Sequence, residues 1–456
     1  MKIARASIRA QVRSIPELKF ADQQMTSYGG LVLFQHLFER LGLLSRLQRC
    51  CAHLGASHFY SQAVLLQCLI VHLLIGCRRL RDMDYYRNDP MVLRVTGLKQ
   101  LPSVPTISRM LGGFDARSVT ELRSANRALI LERLEKAQLA TVTADFDGSV
   151  QSTQRHAEGT AVGFNKQKKG ARSYYPLFCT IAQTGQVFDV CHRSGNVHDS
   201  KGALEFVRHC VAAIRARLPK ARIEARLDSA FFSDEMVTLL EELGVEYTIS
   251  VPFERFTVLK KVTSERCYWW PVPGSNGQSG FFQWQWKPQS WRRQRRFVFI
   301  RNTVAVQNKA PLQLDLFRPI EKDYAYKVIV TNKKIIAGQV ARFHEGRGYQ
   351  EKIYCELKSQ AQMDYVPCRR LAANQVYLLC TMFAHNLGRE LQMQAAPPER
   401  ATTQKRTVRW VFEELATLRR NLIQRAGRLT RPQGKWTLTL PDIPALQAAI
   451  LRLIPA

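Results

Sequence analysis

Near residue 139 the sequence changes its period, and the stretch from there to about 251 restricts the fold more than any other. In Ala140-Thr-Val-Thr-Ala-Asp-Phe-Asp147 the apolar Val142, Ala144 and Phe146 alternate with Thr143, Asp145 and Asp147. That period of two belongs to a strand with one apolar face. Gly148-Ser149 ends it, and a polar, basic loop over 151–173 comes next, with Arg155, Lys166, Lys168, Lys169 and Arg172. A second strand is predicted at Tyr174–Ala182 and, after a turn at Thr184-Gly185, a third at Val187–Arg193, giving an antiparallel meander. A helix over 202–217, a strand at Arg222–Leu227, a helix over 233–243 and a strand at Val245–Val251 complete the order β-β-β-α-β-α-β. Acidic residues end the first and fourth of these strands: Asp147, with Asp145 on the same face, and Asp228. Taken singly, a strand-end Asp is also the ordinary cap of a turn or helix.

Upstream the pattern is helical. Leu31, Leu33, Phe34, Phe38 and Leu41–Leu44 recur near the 3.6 period, and helices are expected at about 60–76 and 78–88 before Asn88-Asp-Pro90 interrupts. Ser103-Val-Pro-Thr-Ile-Ser-Arg109 reads as a helix start with Pro105 in the first turn. Downstream, Arg342–Lys358 is predicted as one helix whose steps of 4 and 7 residues put Arg347, Glu351 and Lys358 on one face. A carboxylate between two cations suits metal-assisted chemistry on phosphodiesters, the acid holding a divalent ion and the cations holding phosphates. The same spacing is also that of a surface ion pair. Glu356 is five residues from Glu351, about half a turn out of phase. A basic helical tail is expected at about 405–427, with Arg419, Arg420 and Arg425, and a short strand at Trp436–Leu440.

The chain has 456 residues, room for two to four domains, and 67 Lys and Arg against 37 Asp and Glu, a formal charge of +30. An excess of that size points to a polyanionic partner, nucleic acid before anionic membrane. The longest apolar stretch, Ala63–Gly76, is interrupted by Gln67 and His72 and falls short of a membrane span. The N-terminus has charges but no apolar leader core, so a cytoplasmic protein is expected. Eleven scattered Cys without a C-x2-C pair fit reduced core thiols.

Residues 252–336 interrupt the alternating order with Trp, Pro and Gly, and strands are predicted near 266–273, 279–287, 295–303 and 324–331. Five of the seven Trp (269, 270, 284, 286 and 291) lie within 23 residues, next to Arg292-Arg293-Gln-Arg295-Arg296. Basic residues interleaved with aromatics can grip phosphates and stack bases, and the same Trp residues can equally be the core of a small β domain.

Four motifs resemble those of the DDE transposases of bacterial insertion sequences. His344-x2-Arg347-x3-Glu351-x6-Lys358 is similar to the family's Tyr-x2-Arg-x3-Glu-x6-Lys signature, with His in place of Tyr. Asp147-Gly-Ser149 resembles the Asp-(Gly/Ser/Thr)-(Ser/Thr) end of the first strand, and Arg226-Leu-Asp-Ser-Ala-Phe231 resembles Arg-x-Asp-(Ser/Arg)-x-(Phe/Tyr). Pro105-Thr-Ile-Ser-Arg109 is similar to an element of the family's N-terminal region. The resemblance implies an α/β ribonuclease-H-like (integrase-like) catalytic core over 139–251 and 337–395, interrupted by a β-rich insertion at 252–336. A helical N-terminal DNA-binding region (1–138) and a basic, helical C-terminal region (396–456) would flank it. It implies Asp147, Asp228 and Glu351 as ligands of two Mg²⁺ (Mn²⁺ as substitute), with Asp145 the fallback for Asp147. Arg347 and Lys358 would lie on DNA phosphates, with His344 in the place of the motif Tyr. Trp284, Trp286 and Trp291, beside Arg292, Arg293, Arg295 and Arg296, would touch DNA, one ring holding a flipped base. The implied partners are double-stranded DNA (terminal inverted repeats and target) and a second subunit in a synaptic dimer, with no membrane. The implied activity is cleavage at the element ends and transfer of the 3′-OH to target DNA. A ribonuclease-H-like nuclease without strand transfer and a non-catalytic DNA-binding derivative are the competing readings.

Overall fold

One nine-stranded sheet runs through the middle of the chain in the computed structural model. The structure describes residues 16, 18, 20, 23–55, 59–163, 165, 168–197, 201–272, 275, 277–304 and 323–454. The N-terminal segment 1–15, Lys166 of the basic loop and the stretch 305–322 of the Trp-rich region lie outside the described residues. The strands are β1 (Thr141–Gly148), β2 (Leu177–Ile181), β3 (Gln186–Cys191), β4 (Arg222–Leu227), β5 (Glu246–Ser250), β6 (Trp270–Pro271), β7 (Ser279–Trp286), β8 (Arg295–Val304) and β9 (Asp323–Thr331). Their order across the sheet is β6-β7-β8-β9-β5-β4-β1-β2-β3. β1, β4 and β5 are mutually parallel, and the other neighbours are antiparallel.

The period of two decides what each face meets. Val142, Ala144 and Phe146 of β1 and Ile223, Ala225 and Leu227 of β4 lie in one apolar core with Phe206, Val207, Val237 and Leu240 of the covering helices. The opposite face carries Thr143, Asp145, Glu224 and Arg226, all buried. Strands β6–β9 belong to this same sheet, because β9 pairs with the edge of β5 from Ile329↔Ser250 to Thr331↔Thr248. The described strands of 252–336 therefore extend the central sheet. The unpaired edge of β5 is what recruits them.

The N-terminal helices are α1 (Leu31–Leu41), α2 (Leu43–Cys51), α3 (Gln62–Leu74), α4 (Pro90–Thr96), α5 (Val104–Gly113) and α6 (Ala116–Lys136). Polar side chains cap four of them: Ser61, Asp89, Ser103 and Asp115 each accept from a first-turn N–H. Residues 80–86, expected as part of a helix, form a 3₁₀ segment. Later helices are α7 (Ala203–Arg217), α8 (Asp234–Glu242), α9 (Thr257–Ser264), α10 (Ala337–Glu345), α11 (Tyr349–Gln360), α12 (Leu371–Ala395) and α13 (Pro444–Leu453). Every residue of α12 from Val376 to Leu391 is buried, and α3, α5 and α6 pack on it. N-terminal and C-terminal helices thus share one core.

The C-terminal segment differs from its sequence reading. Residues 405–414 are not helical, and Arg419 is no solvent-facing cation. Its guanidinium donates to the carbonyls of Leu73, Leu74 and Gln360, sealing the ends of α3 and α11. Met25–Thr26 pairs with Gly427–Thr430, which pairs with Thr437–Thr439, so the two ends of the described chain meet in one small sheet.

Candidate active site

β1 and β4 are parallel with Phe146 opposite Leu227, so the next residues outward, Asp147 and Asp228, end adjacent strands. Beneath them the polar face is a ladder. Thr143 Oγ1 donates to Glu224 at 2.9 Å, and Arg226 binds both oxygens of Asp145 at 2.5 and 2.7 Å. Asp145 does face the same way as Asp147, but it lies one rung deeper, 2% exposed.

Asp147 is half-buried. Its Oδ1 accepts the Gly148 N–H at 2.8 Å, its Oδ2 accepts Arg347 Nη1 at 2.9 Å, and its carbonyl accepts the Tyr354 hydroxyl at 3.2 Å. Burial, and then the negative charge of Asp228, push the Asp147 carboxyl up to about 7, with Arg347 pulling the other way. Asp228 Oδ1 accepts the Ala230 N–H at 3.0 Å and starts a short 3₁₀ turn.

The stretch Arg342–Lys358 is helical throughout, as expected, but it is not one uniform α-helix. α10 ends at Glu345, Gly346–Gly348 makes a 3₁₀ turn, and α11 starts at Tyr349. A Cβ at Gly346 would lie 2.0 Å from the Lys405 carbonyl and 2.1 Å from Arg226 Nη1, so the close approach requires glycine. Arg347 is in the 3₁₀ turn and Glu351, exposed, in the first turn of α11. His344 is in the last turn of α10 and 1% exposed. Its Nδ1 meets Thr248 Oγ1 at 2.9 Å and its Nε2 meets Ser250 Oγ at 2.8 Å. Burial holds it neutral, well below the usual histidine range. His344 therefore ties α10 to β5, close enough to Lys327 and Arg347 for their charges to act on it. Glu356 is buried as well, accepting from Arg389 and from the Leu415 N–H.

Three groups beside the acids have no counterpart among the residues singled out in the sequence. Gln350 Nε2 donates to the Asp145 carbonyl at 2.9 Å, and Tyr354 holds the Asp147 carbonyl. Lys327 of β9 is lowered by burial and by Arg347, and raised by Glu345 and Glu351, which places its ammonium near the Arg347–Glu351 turn. A lone Lys among Tyr324, Tyr326, Val328 and Val330 was the available signal. Lys358, half-buried, is lowered by burial and raised by Asp364, Cys355 and Asp147.

The pair Asp147 and Asp228 suits a hard divalent cation: two oxygen donors brought together, each raising the cost of the other's charge, which a cation relieves. Among the described residues, however, no three acidic, His or Cys side chains are gathered as a metal cluster, and Glu351 stands apart from the pair.

Over residues 10–455 the chain matches the family model described as Transposase DDE domain group 1. The chain belongs to the DDE transposase family. No curated protein sequence matches it. Among solved structures, a piggyBac transposase synaptic complex with hairpin DNA is similar over 94% of this chain and 86% of that one, at 10% identity and a TM-score of 0.41. A Mos1 mariner paired-end complex with Mn is similar over 43% of this chain and 60% of that one, at 13% identity and a TM-score of 0.17.

In this DDE transposase the Trp-rich strands are organised by packing. Phe282, Trp284 and Trp286 alternate with Gln283 and Gln285 on β7, and their rings face Phe297 and Phe299 of β8. Trp291 is 5% exposed, against Phe232 and Phe297, and belongs to the core instead of a DNA surface. Trp284 and Trp286 are half-buried, stacked at 6.1 Å and 12° on the same core. Among the described residues of 252–336 the exposed rings are Tyr268, Trp270 and Tyr324. The basic cluster divides too. Arg295 is buried on Glu241 at 2.7 Å, and Arg296 is held by Gln283 and the Lys333 carbonyl. Arg292 and Arg293 remain exposed. Among the described residues no helix is long and apolar enough to cross a membrane.

Proposed function

We propose that this transposase binds the terminal inverted repeats of an insertion sequence, cleaves at the element ends and joins the freed 3′-OH to target DNA. The observation that carries this is the pairing of Asp147 and Asp228 at the ends of adjacent parallel strands, with Arg347 on one of them. Asp147, not the sealed Asp145, is the first acid, Asp228 the second, and Glu351 the third, entering from α11. Mg²⁺, or Mn²⁺ in its place, held there would activate the attacking oxygen and neutralise the leaving one. Arg347 and Lys358 hold DNA phosphates beside the acids, and a phosphate that draws Arg347 away frees Asp147 Oδ2. Lys327 adds positive charge at the same edge. Arg292 and Arg293 extend the phosphate-binding surface, and the exposed Tyr268 and Trp270 replace Trp284, Trp286 and Trp291 as the rings able to stack on a base. The excess of 30 positive charges supports duplex DNA as partner, with two subunits pairing two ends in the cell's nucleoid.

The test uses Asp147→Asn, Asp228→Asn and Glu351→Gln with duplexes carrying the repeats that flank the gene. Each variant should lose Mg²⁺-dependent cleavage by about a thousandfold or more while binding ends within a factor of about 3 of wild type. Normal cleavage by a variant removes that residue from the site. Cleavage without joining of a 3′-OH end to target DNA would instead identify a nuclease.

A further inference from the structure

Below the acids lies a buried charge with more partners than charge neutralisation requires. Arg226 is 0% exposed and each of its three terminal nitrogens is engaged. Nε and Nη2 take the two oxygens of Asp145 at 2.5 and 2.7 Å. Nη1 donates to the Phe343 carbonyl at 3.0 Å and to the Lys405 carbonyl at 2.7 Å. The guanidinium also lies over the Phe343 ring, 5.2 Å from its centre. One side chain thus joins β1, β4, α10 and the C-terminal segment.

The register gives this hub its meaning. Asp145 is two residues before Asp147, and Arg226 two before Asp228, on the same face of adjacent parallel strands. A fork-to-carboxylate pair has one good alignment, so it fixes how far each strand end reaches relative to the other. The Phe343 carbonyl is four residues before Arg347, just ahead of the Gly346 turn that leads to Glu351. Gln350 closes the loop by donating to the Asp145 carbonyl. As a stabilising device a buried ion pair is poor, since apolar residues of equal volume often serve as well. As a gauge of position it is specific.

We infer that Arg226, with Asp145, is a positioning pair that sets the relative heights of Asp147 and Asp228 and delivers Arg347 to the same edge. This rests on the active-site reading above. It makes the C-terminal segment, through Lys405, part of the mechanism that aligns the acids.

The experiment compares wild type with Asp145→Leu/Arg226→Met, which removes both charges at similar volume, and with Arg226→Lys, which keeps the charge but not the fork. Folding is followed by thermal unfolding, Mn²⁺ binding by electron paramagnetic resonance, and cleavage kinetics on duplexes carrying the flanking repeats. Both variants should fold, keep KM for DNA within about threefold, and lose about 100-fold in kcat, the scale of an ångström-size misplacement. Mn²⁺ affinity should fall about tenfold, the scale of losing a group that orients a ligand. A folded variant of either kind with kcat and Mn²⁺ affinity within about threefold of wild type overturns the inference, and rescue by Lys would show that only the charge mattered. Failure of both to fold also overturns it, in favour of a purely stabilising pair. Failure of the underlying site reading is separate, because it would show as Mn²⁺ binding and cleavage retained by Asp147→Asn or Asp228→Asn.

Discussion

Asp147 is under two opposed demands. To hold a cation it must be charged, and its surroundings resist that charge through burial and Asp228. Its folded pKa of about 7 is above the ordinary 3.8, so the folded state binds the proton more tightly than the unfolded chain. The stability that this gives is complete below the ordinary value and is lost as pH rises through about 7. Metal-free wild type should therefore lose Tm relative to Asp147→Asn between pH 5 and pH 8, and Mg²⁺ at the upper end should restore it. Cation binding should strengthen over the same interval. A Tm difference that is flat with pH, measured by scanning fluorimetry on both proteins without metal, would show that the carboxyl is already ionised at low pH. The two Asp were legible in the sequence because each ends an alternating strand. The choice of Asp147 over Asp145 came from the resemblance to the family motif, not from the alternation. Nothing in the pattern of Asp145 and Asp147 says that the inner one meets an arginine 81 residues away, although Glu224, Arg226 and Asp228 alternating with Ile223, Ala225 and Leu227 was a sign of a buried polar ladder.

At the scale of elements, the 3₁₀ turn between α10 and α11 is what carries Arg347 to the acids. Residues 344 and 347 are eclipsed across the 3₁₀ turn, yet their side chains take different partners: His344 the Thr248 and Ser250 hydroxyls of β5, and Arg347 the Asp147 carboxylate. Glycine is required at 346 because the Lys405 carbonyl occupies the space of a side chain. Gly346→Ala should cost about 1–3 kcal/mol as an overpacked contact, and should weaken cleavage beyond the stability loss by displacing Arg347 and Glu351. Denaturant unfolding together with cleavage assays on the still-folded fraction reads both. An alanine variant with unchanged midpoint and unchanged cleavage would show that the turn has slack. Helical spacing read well within α11, where Glu351 and Lys358 are two turns apart, but the tightened turn at Gly346 was not legible, because it lies against a residue 59 positions away. Likewise the alternation in Phe282-Gln-Trp-Gln-Trp286 announced a strand with one apolar face, but its partners across the sheet, Phe297 and Phe299, decide that the rings are core.

For the whole molecule, sequence-local patterns located most strands and helices but not which of them form one body. Breaks in composition near 139, 252, 337 and 396 suggested separable regions, yet the strands after 252 extend the central sheet and the helices before 139 pack with those after 370. Such joins are made by contacts far apart in sequence, which no local period records. The last 61 residues show the consequence most clearly. Arg406 donates to both oxygens of buried Glu224, Lys405 supplies a carbonyl to Arg226, and Arg419 seals α3 and α11. Leu415, Leu418, Leu422, Ile423, Leu429, Leu446, Ile450 and Leu453 are buried in the shared helical core. Burying one such side chain stabilises by roughly 1.5–3 kcal/mol, so eight of them match or exceed the roughly 5–15 kcal/mol by which a typical protein is stable. A chain ending at Ala395 should consequently not yield a smaller catalytic domain. It should lack a cooperative thermal transition by circular dichroism and fail to bind Mn²⁺, with Glu224 stripped of the Arg406 guanidinium and one side of α12 uncovered. Adding residues 396–456 as a separate polypeptide should restore part of both signals, because the lost contacts are all noncovalent. A truncated protein that unfolds cooperatively and binds Mn²⁺ as the full chain does would show that the C-terminal segment is an appendage after all.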